Sequence, residues 1–359
     1  MKKILHIAEP FASGVLNFLI DITKRQVEEY DVYILYGVRP MTPVNVDELF
    51  DKRVHLIRME SFHGALGTVF NPKAYRDVYM EYKRLRPDIV HLHSSASGFV
   101  GRWILPCKKI PVFYTPHGYS FLMQDASKMK RLFYWLIEYI SAHRPCKTIA
   151  CSEGEYKESL RLSSNVTYVN NGINICELLP YVRSVFPAKD SIKIATSGRI
   201  SYQKNPNLFN EIATLLPEFS FIWIGDGELR YELVASNIVV TGWKTRDEVL
   251  QIMRDTDIFI LPSLWEGLPI SLLEAMFLKK VCLVSNVIGN RDVIKSEVNG
   301  VICNTAIEYA ENIHNILDGK IDGRSLAENA HQDVLYNYNA DLMSEKYSRI
   351  YHESLNSSN

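Results

Sequence analysis

No stretch of this 359-residue chain approaches the ~18 uninterrupted apolar residues that a membrane-spanning helix requires. The apolar run after Lys2 and Lys3 is cut by His6, Glu9 and Pro10, so no secretory leader is expected. Paired cysteines are also missing. Cys107, Cys146, Cys151, Cys176, Cys282 and Cys303 form no Cys-x-x-Cys and no zinc-like spacing, which predicts reduced thiols in the cytoplasm. Net charge is nearly absent at −1, which argues against a nucleic-acid binder. Glycine is scarce where a dinucleotide site would need it. Gly14 stands alone after the first strand, without the Gly-x-Gly-x-x-Gly of an NAD or FAD enzyme.

What is present is an ordinary apolar fraction, 47%, in a chain long enough for two domains. The charge is uneven: residues 1–180 carry 23 Lys/Arg against 18 Asp/Glu, and the rest 17 against 23. A basic first half suits an anionic partner or membrane surface. Lys2–Ala8 reads as a buried strand and Val15–Val27 as a helix, with Gly14 in the loop between them, free to approach a phosphate or sugar. Strand signals recur at Asp31–Tyr36, Val54–Arg58, Ile89–Leu92, Val112–Tyr114, Thr148–Ala150 and Val166–Val169, with helices at Asn71–Arg84 and Lys128–Ser141. This alternation predicts a parallel sheet covered on both faces. Pro180 and Pro187 punctuate a linker between Gly172 and Asp190, after which Ser191–Ser197 opens a second strand–helix series. A terminal helix is expected over Tyr336–Leu355.

Several side chains stand where open α/β sheets bind ligands. His91 and His93 share a strand face: a metal pair would need a third ligand that the sequence does not reveal, and a strand-end pair is the simpler reading. His117, beside Gly118, ends a strand. Residues 121–143 mix Lys128, Lys130 and Arg131 with many aromatic and aliphatic residues. A core helix with a solvated basic start and a basic helix lying on a membrane both fit that pattern.

The most informative stretch is 257–275. An apolar strand, Ile258–Leu261, breaks at Pro262 and Gly267, and Leu268-Pro269-Ile270-Ser271 opens a helix whose first N–H groups can hold an anion. Glu266 precedes the helix and Glu274 lies about one turn along it, both able to accept hydrogen bonds from hydroxyls. In Gly198-Arg199-Ile200-Ser201-Tyr202-Gln203-Lys204, two cations flank a tight turn and can neutralise a diphosphate.

These motifs resemble the retaining glycosyltransferases of family 4, whose signature is Glu, seven residues, Glu, matched by Glu266 and Glu274. The resemblance spans essentially the whole chain. It implies two Rossmann-like domains facing across a cleft (GT-B): an acceptor-binding domain over 1–180, a nucleotide-sugar domain over 181–335, and a C-terminal helix, 336–359, crossing back to the first. It implies catalytic roles for His117, Glu266, Arg199 and Lys204. Donor binding would use Gly14, Arg199, Lys204, Trp243, Lys244, Glu266, Leu268, Pro269, Ile270, Ser271 and Glu274. The expected donor is a UDP-sugar carrying a hexosyl or N-acetylhexosaminyl group. The expected acceptor is a glycan or polyprenyl-diphosphate-linked saccharide of capsule or lipopolysaccharide synthesis, reached at the cytoplasmic face of the membrane. No Asp-x-Asp stands where a metal would be expected, so neither metal nor other cofactor is anticipated. Gly289-Asn290-Arg291-Asp292 departs from the Gly-Gly and Glu of many members, which leaves the donor sugar open. A sugar-nucleotide 2-epimerase of the same shape and a non-catalytic sugar-nucleotide-binding protein are the alternative readings.

Overall fold

The computed structural model describes residues 1–183 and 192–356. Pro187, Asp190 and Ser191 of the expected linker and following strand lie outside them. The chain forms two units, one of residues 1–122, 126–171 and 340 onward, the other of 123–125 and 172–339.

The first unit alternates β1 (Lys2–Ala8), α1 (Ser13–Gln26), β2 (Tyr30–Tyr36), β3 (Val54–Arg58), α2 (Ala65–Val69), α3 (Pro72–Leu85), β4 (Ile89–His93), α4 (Ser94–Ile104), β5 (Val112–Thr115), α5 (Lys128–Ala142), β6 (Lys147–Ala150), α6 (Glu153–Leu160) and β7 (Val166–Tyr168). Its seven strands run parallel in the order β3-β2-β1-β4-β5-β6-β7. The near-continuous burial of β1 and β4 follows from coverage on both faces. Local chemistry starts the helices: Asn71 caps α3 ahead of Pro72 at the first helical position, and Ser127 caps α5.

The second unit holds α7 (Ile175–Leu178), β8 (Lys193–Ser197), α8 (Pro206–Leu215), β9 (Ser220–Ile224), β10 (Ile238–Val240), α9 (Arg246–Arg254), β11 (Ile258–Leu261), α10 (Ile270–Phe277), β12 (Val281–Ser285), α11 (Asn290–Val293), β13 (Val301–Cys303), α12 (Ala306–Leu317) and α13 (Gly323–Asn337). Its six strands are parallel in the order β10-β9-β8-β11-β12-β13. Strand order reverses between β1 and β4 in one sheet and between β8 and β11 in the other. Ligands of such folds bind beyond the strand ends at these points.

The expected single terminal helix is two. The chain leaves α13 at Tyr338 because that residue's carbonyl accepts from Ile173 N–H at 2.9 Å, and Asn339 bridges to Ile173. It re-enters a helix as α14 (Ala340–Asn356), whose Met343, Tyr347, Tyr351 and Leu355 recur every four residues on one buried stripe. That stripe completes the core of the first unit beside Phe18, Leu19 and Ile22 of α1.

Helix α5 carries features of both readings of its sequence. Its buried side carries Glu138, Ser141 and Ala142, while Met129, Leu132, Phe133, Leu136 and Ile140 are exposed. Glu138 is anchored by Arg102 at 2.7 Å and by the Tyr114 hydroxyl at 2.9 Å, both buried. Tyr134 and Trp135 pack against the core on the side of this anchor, while the five apolar side chains named above face out.

Candidate functional site

The loops after β8 and β11, the two strands at the switch point of the second sheet, are stitched together by three contacts. Leu264 N–H donates to the Gln203 carbonyl at 2.8 Å, the Gln203 side chain donates to the Trp265 carbonyl at 2.9 Å, and Lys204 Nζ reaches Glu266 Oε1 at 2.6 Å. Gly198, with φ +139, turns the chain out of β8 in a conformation that side chains rarely adopt. The Lys204 side chain lies against it, 3.3 Å from where a Cβ would stand. A 3-10 turn at Tyr202–Lys204 and a left-handed Asn205, which caps α8, aim Lys204 at Glu266. Glu266 is only 6% exposed, and Gln203 Nε2 adds a second donor at 3.3 Å.

Helix α10 begins directly after this loop. Pro269 occupies its N-cap without a side-chain cap, and the N–H groups of Ile270 and Ser271 have no hydrogen-bond partner among the described residues. Free N–H groups and the positive end of the helix dipole therefore lie four and five residues beyond Glu266. The loop after β12 closes on the same place. Gly289, at φ +84, packs so tightly that a Cβ would stand 2.4 Å from the Gly267 carbonyl oxygen and 2.9 Å from Glu266 Cβ. The departure seen in sequence beyond Gly289 has a structural use: Asn290 Nδ2 donates to the Ser285 carbonyl at 3.2 Å and to its hydroxyl at 3.1 Å, and Asp292 accepts from Gly289 N–H at 3.1 Å.

Glu274 is buried within α10 and ion-paired to Arg246 at the start of α9. The sequence reading missed Arg246, which stands 28 residues away and carries no local motif. Arg199 extends instead to Glu228 at 2.8 Å, with both side chains about half exposed. Trp243 is exposed after Gly242, and Lys244 pairs with Glu248 at 3.0 Å beside the Thr245 capping box. The structure thus brings Lys204, Glu266 and the Leu268–Ser271 helix start together, while Arg199, Trp243, Lys244 and Glu274 lie on neighbouring loops and helices with partners or surfaces of their own.

Two profiles divide the chain between them. Residues 182–333 match "Glycosyl transferases group 1" and residues 12–176 match "Glycosyltransferase Family 4". The chain is a family 4 glycosyltransferase. This glycosyltransferase is 26% identical, across 97% of its length and 96% of the relative's, to an Escherichia coli UDP-Gal:alpha-D-GlcNAc-diphosphoundecaprenol alpha-1,3-galactosyltransferase. Among solved structures it resembles the sucrose-phosphate synthase of Thermosynechococcus elongatus, with a TM-score of 0.82 at 14% identity over 98% of this chain and 99% of that one. It also resembles Anabaena HepE in complex with UDP-glucose, with a TM-score of 0.77 at 16% identity over 98% and 100%. These likenesses fix a GT-B fold.

In the first unit of the glycosyltransferase, Gly14 sits in the first turn of α1 with open space where a Cβ would go, and Ala12 caps that helix without a side-chain bond. His117 ends β5 in a left-handed conformation, φ +54, followed by Gly118 at φ +95. The Gly118 N–H is held by Glu155 Oε1 at 2.6 Å. Burial lowers the His117 pKa to about 3, so the ring is neutral at physiological pH. The pair His91 and His93 has company that no sequence spacing announces: His6 on β1 and His117 complete a cluster around the first switch point. His6, His91 and His93 lie close enough together to hold an ion. Each of their six ring nitrogens already has a hydrogen-bond partner, supplied by Gln26, Thr115, Tyr351, His117 or one another.

Proposed function

We propose that this glycosyltransferase moves a hexosyl or N-acetylhexosaminyl group from a UDP-sugar, with retention, onto a polyprenyl-diphosphate-linked saccharide in cell-surface polysaccharide synthesis. The observation that carries the reading is the junction of Lys204, Glu266 and the unpartnered N–H groups of Ile270 and Ser271 at one switch point. In this reading the pyrophosphate sits at the mouth of α10, where helix N–H groups, Lys204 and Arg199 stabilise the charge that grows as UDP leaves. Glu266 accepts from hydroxyls of the transferred sugar, and Glu274, held by Arg246, accepts from the ribose. Trp243 and Lys244 flank the base, Leu268 and Pro269 shape the loop, and Gly14 lets backbone approach the phosphates. His117 hydrogen-bonds the sugar. Lysine, arginine and helix dipole together supply the positive charge that a metal would otherwise bring. The relative that uses a UDP-sugar and a diphosphoundecaprenol-linked acceptor supports both substrate classes.

The acceptor and the membrane are assigned to the first unit. A groove of about 500 Å³ between α5 and α6 is lined by Phe121, Leu122, Leu132 and Trp135 together with Lys128, Arg131, and Arg161 ion-paired to Glu158 at 2.6 Å. Apolar walls with cations around them suit an anionic amphiphile, and the exposed apolar face of α5 continues that surface. No described helix is long and apolar enough to cross a membrane, so contact through this face would be peripheral.

Incubation with a panel of nucleotide sugars, with and without a lipid-linked saccharide extract, tests the reading. Acceptor-dependent UDP release from one donor is the expected result. Absence of release from every nucleotide sugar refutes the transfer, and interconversion of UDP-GlcNAc without acceptor identifies an epimerase instead. Arg199→Ala should abolish release, and unaltered turnover removes its diphosphate role.

A further inference from the structure

Four side chains at the first switch point form one hydrogen-bonded row. Gln26 Oε1 lies 2.8 Å from His6 Nε2, His6 Nδ1 lies 2.9 Å from His93 Nε2, and His93 Nδ1 lies 3.1 Å from His117 Nε2. His6 and His93 are fully buried, and no carboxylate takes part in the row. Adjacent rings this dry cannot share positive charge, so each is neutral. A neutral imidazole has one N–H and one lone pair. Within a row, then, the state of one ring dictates the next: if His6 donates through Nε2 it must accept at Nδ1, which makes His93 donate through Nε2 and accept at Nδ1. His117 must then donate through Nε2.

The sense of the row is set at its far end, by which way the Gln26 amide points. A flanking branch is fixed separately. Thr115 Oγ1 donates its hydrogen to the Ile149 carbonyl at 2.8 Å, so it accepts from His91 Nε2. His91 Nδ1 is therefore an acceptor, and the Tyr351 hydroxyl, 2.6 Å away, gives it its only hydrogen. What remains on Tyr351 is a lone pair. The Gln26 amide nitrogen has no hydrogen-bond partner among the described residues, and the amide oxygen is the atom set 2.8 Å from His6 Nε2.

We propose that Gln26 is a positioning residue which, through His6 and His93, holds His117 in its Nε2-protonated tautomer and so presents His117 Nδ1 as a fixed hydrogen-bond acceptor for a hydroxyl of the donor sugar. The partly buried His117 is the row's outlet: its Nδ1 has no hydrogen-bond partner among the described residues. Its left-handed backbone is a strained conformation of the kind that gathers at ligand sites. The role of Nδ1 rests on the donor-sugar reading above; the tautomer does not. An acceptor nitrogen favours a hydroxyl that must donate, and a tautomer fixed in advance spares the site from reorganising as substrate arrives. The same satisfied nitrogens leave the cluster no lone pair directed at an ion.

Long-range ¹H–¹⁵N correlation of the full chain labelled in its histidine rings reads each tautomer directly. The wild-type protein should show His117 protonated at Nε2 alone. Gln26→Leu, which removes the terminal acceptor, should give a mixture of tautomers at His6, His93 and His117. It should also lower kcat/KM for the donor sugar about tenfold, the loss of one hydrogen bond, with the Kd for UDP unchanged. Gln26→Met, a second replacement of similar length without the amide, should give the same mixture and the same loss. A wild-type His117 protonated at Nδ1, or averaging between tautomers, overturns the row whatever the activity. Zinc retained stoichiometrically through purification and lost with His6→Asn overturns it as well. If the wild-type protein turns over no nucleotide sugar, the functional reading and the role of Nδ1 fall, and the spectrum still decides the tautomer.

Discussion

Lys204 and Glu266 meet in a nearly dry setting, with 17% and 7% of their side chains exposed. Removing the lysine leaves a carboxylate in low dielectric with only the long bond from Gln203. Breaking a fully buried pair costs about 3–5 kcal/mol, and the partial exposure of Lys204 puts this pair at the lower end. Lys204→Met should therefore lower the urea midpoint measurably, while the double variant Lys204→Met with Glu266→Gln recovers most of the stability and none of the UDP release. A double variant as unstable as the single one would mean that the pair is not what holds the loops together. Most of this site was legible because its members lie within two short sequence windows: Gly198 to Lys204, and Glu266 to Glu274, each follow a strand. Arg246 was not, because an ion pair spanning 28 residues leaves no local signature. His6 was not, because a histidine inside an apolar strand reads as an interruption until the neighbouring strand is set beside it.

At the level of elements, the strands named from sequence were legible to within a residue or two because most are apolar runs bounded by turn residues, and the three-residue β13 was not among them. Helix α5 was not. Its sequence has apolar and charged residues on several sides, and periodicity says that a stripe exists without saying what covers it. The deciding residue is Glu138, which turns toward buried Arg102, whose guanidinium also stacks on the Tyr114 ring at 4.1 Å. Glu138→Ala would leave Arg102 buried and unpaired, and should destabilise the first unit by about 3–5 kcal/mol in chemical denaturation. Leu132→Ser with Leu136→Ser, on the opposite and exposed side, should change stability by no more than about 0.5 kcal/mol per site. The same pair should reduce co-sedimentation with vesicles containing phosphatidylglycerol. Equal sedimentation of the two proteins would remove the membrane role of this helix. The break at Tyr338–Asn339 escaped the sequence for a related reason: a backbone pairing with Ile173 ends α13 there, and Tyr336 to Leu355 otherwise keeps a helical pattern.

For the molecule as a whole, the two units keep separate hydrophobic cores, one built around α1, α14 and the first sheet, the other around the second sheet with α8 and α12. Two perturbations should therefore act on two different transitions. Burial lowers the pKa of His6 from 6.5 to about 4 and that of His117 to about 3. Above pH 6.5 these rings are neutral whether the chain is folded or not, and they add no pH dependence. Below it the unfolded chain takes up protons that the native row refuses, so stability falls by about 1.4 kcal/mol per pH unit for each such ring until the folded pKa is reached. Between pH 6.5 and pH 4 the calorimetric transition of the first unit should move down, and His6→Asn should shallow its slope by about one proton. UDP, most of whose proposed contacts lie in the second unit, acts by mass action, worth about 2.7 kcal/mol at one hundred times its Kd. It should raise the other transition and leave the acid-sensitive one where it was. If acid and UDP displaced the same transition equally, the two cores would not unfold independently, and the row of histidines and the nucleotide site would belong to one cooperative unit.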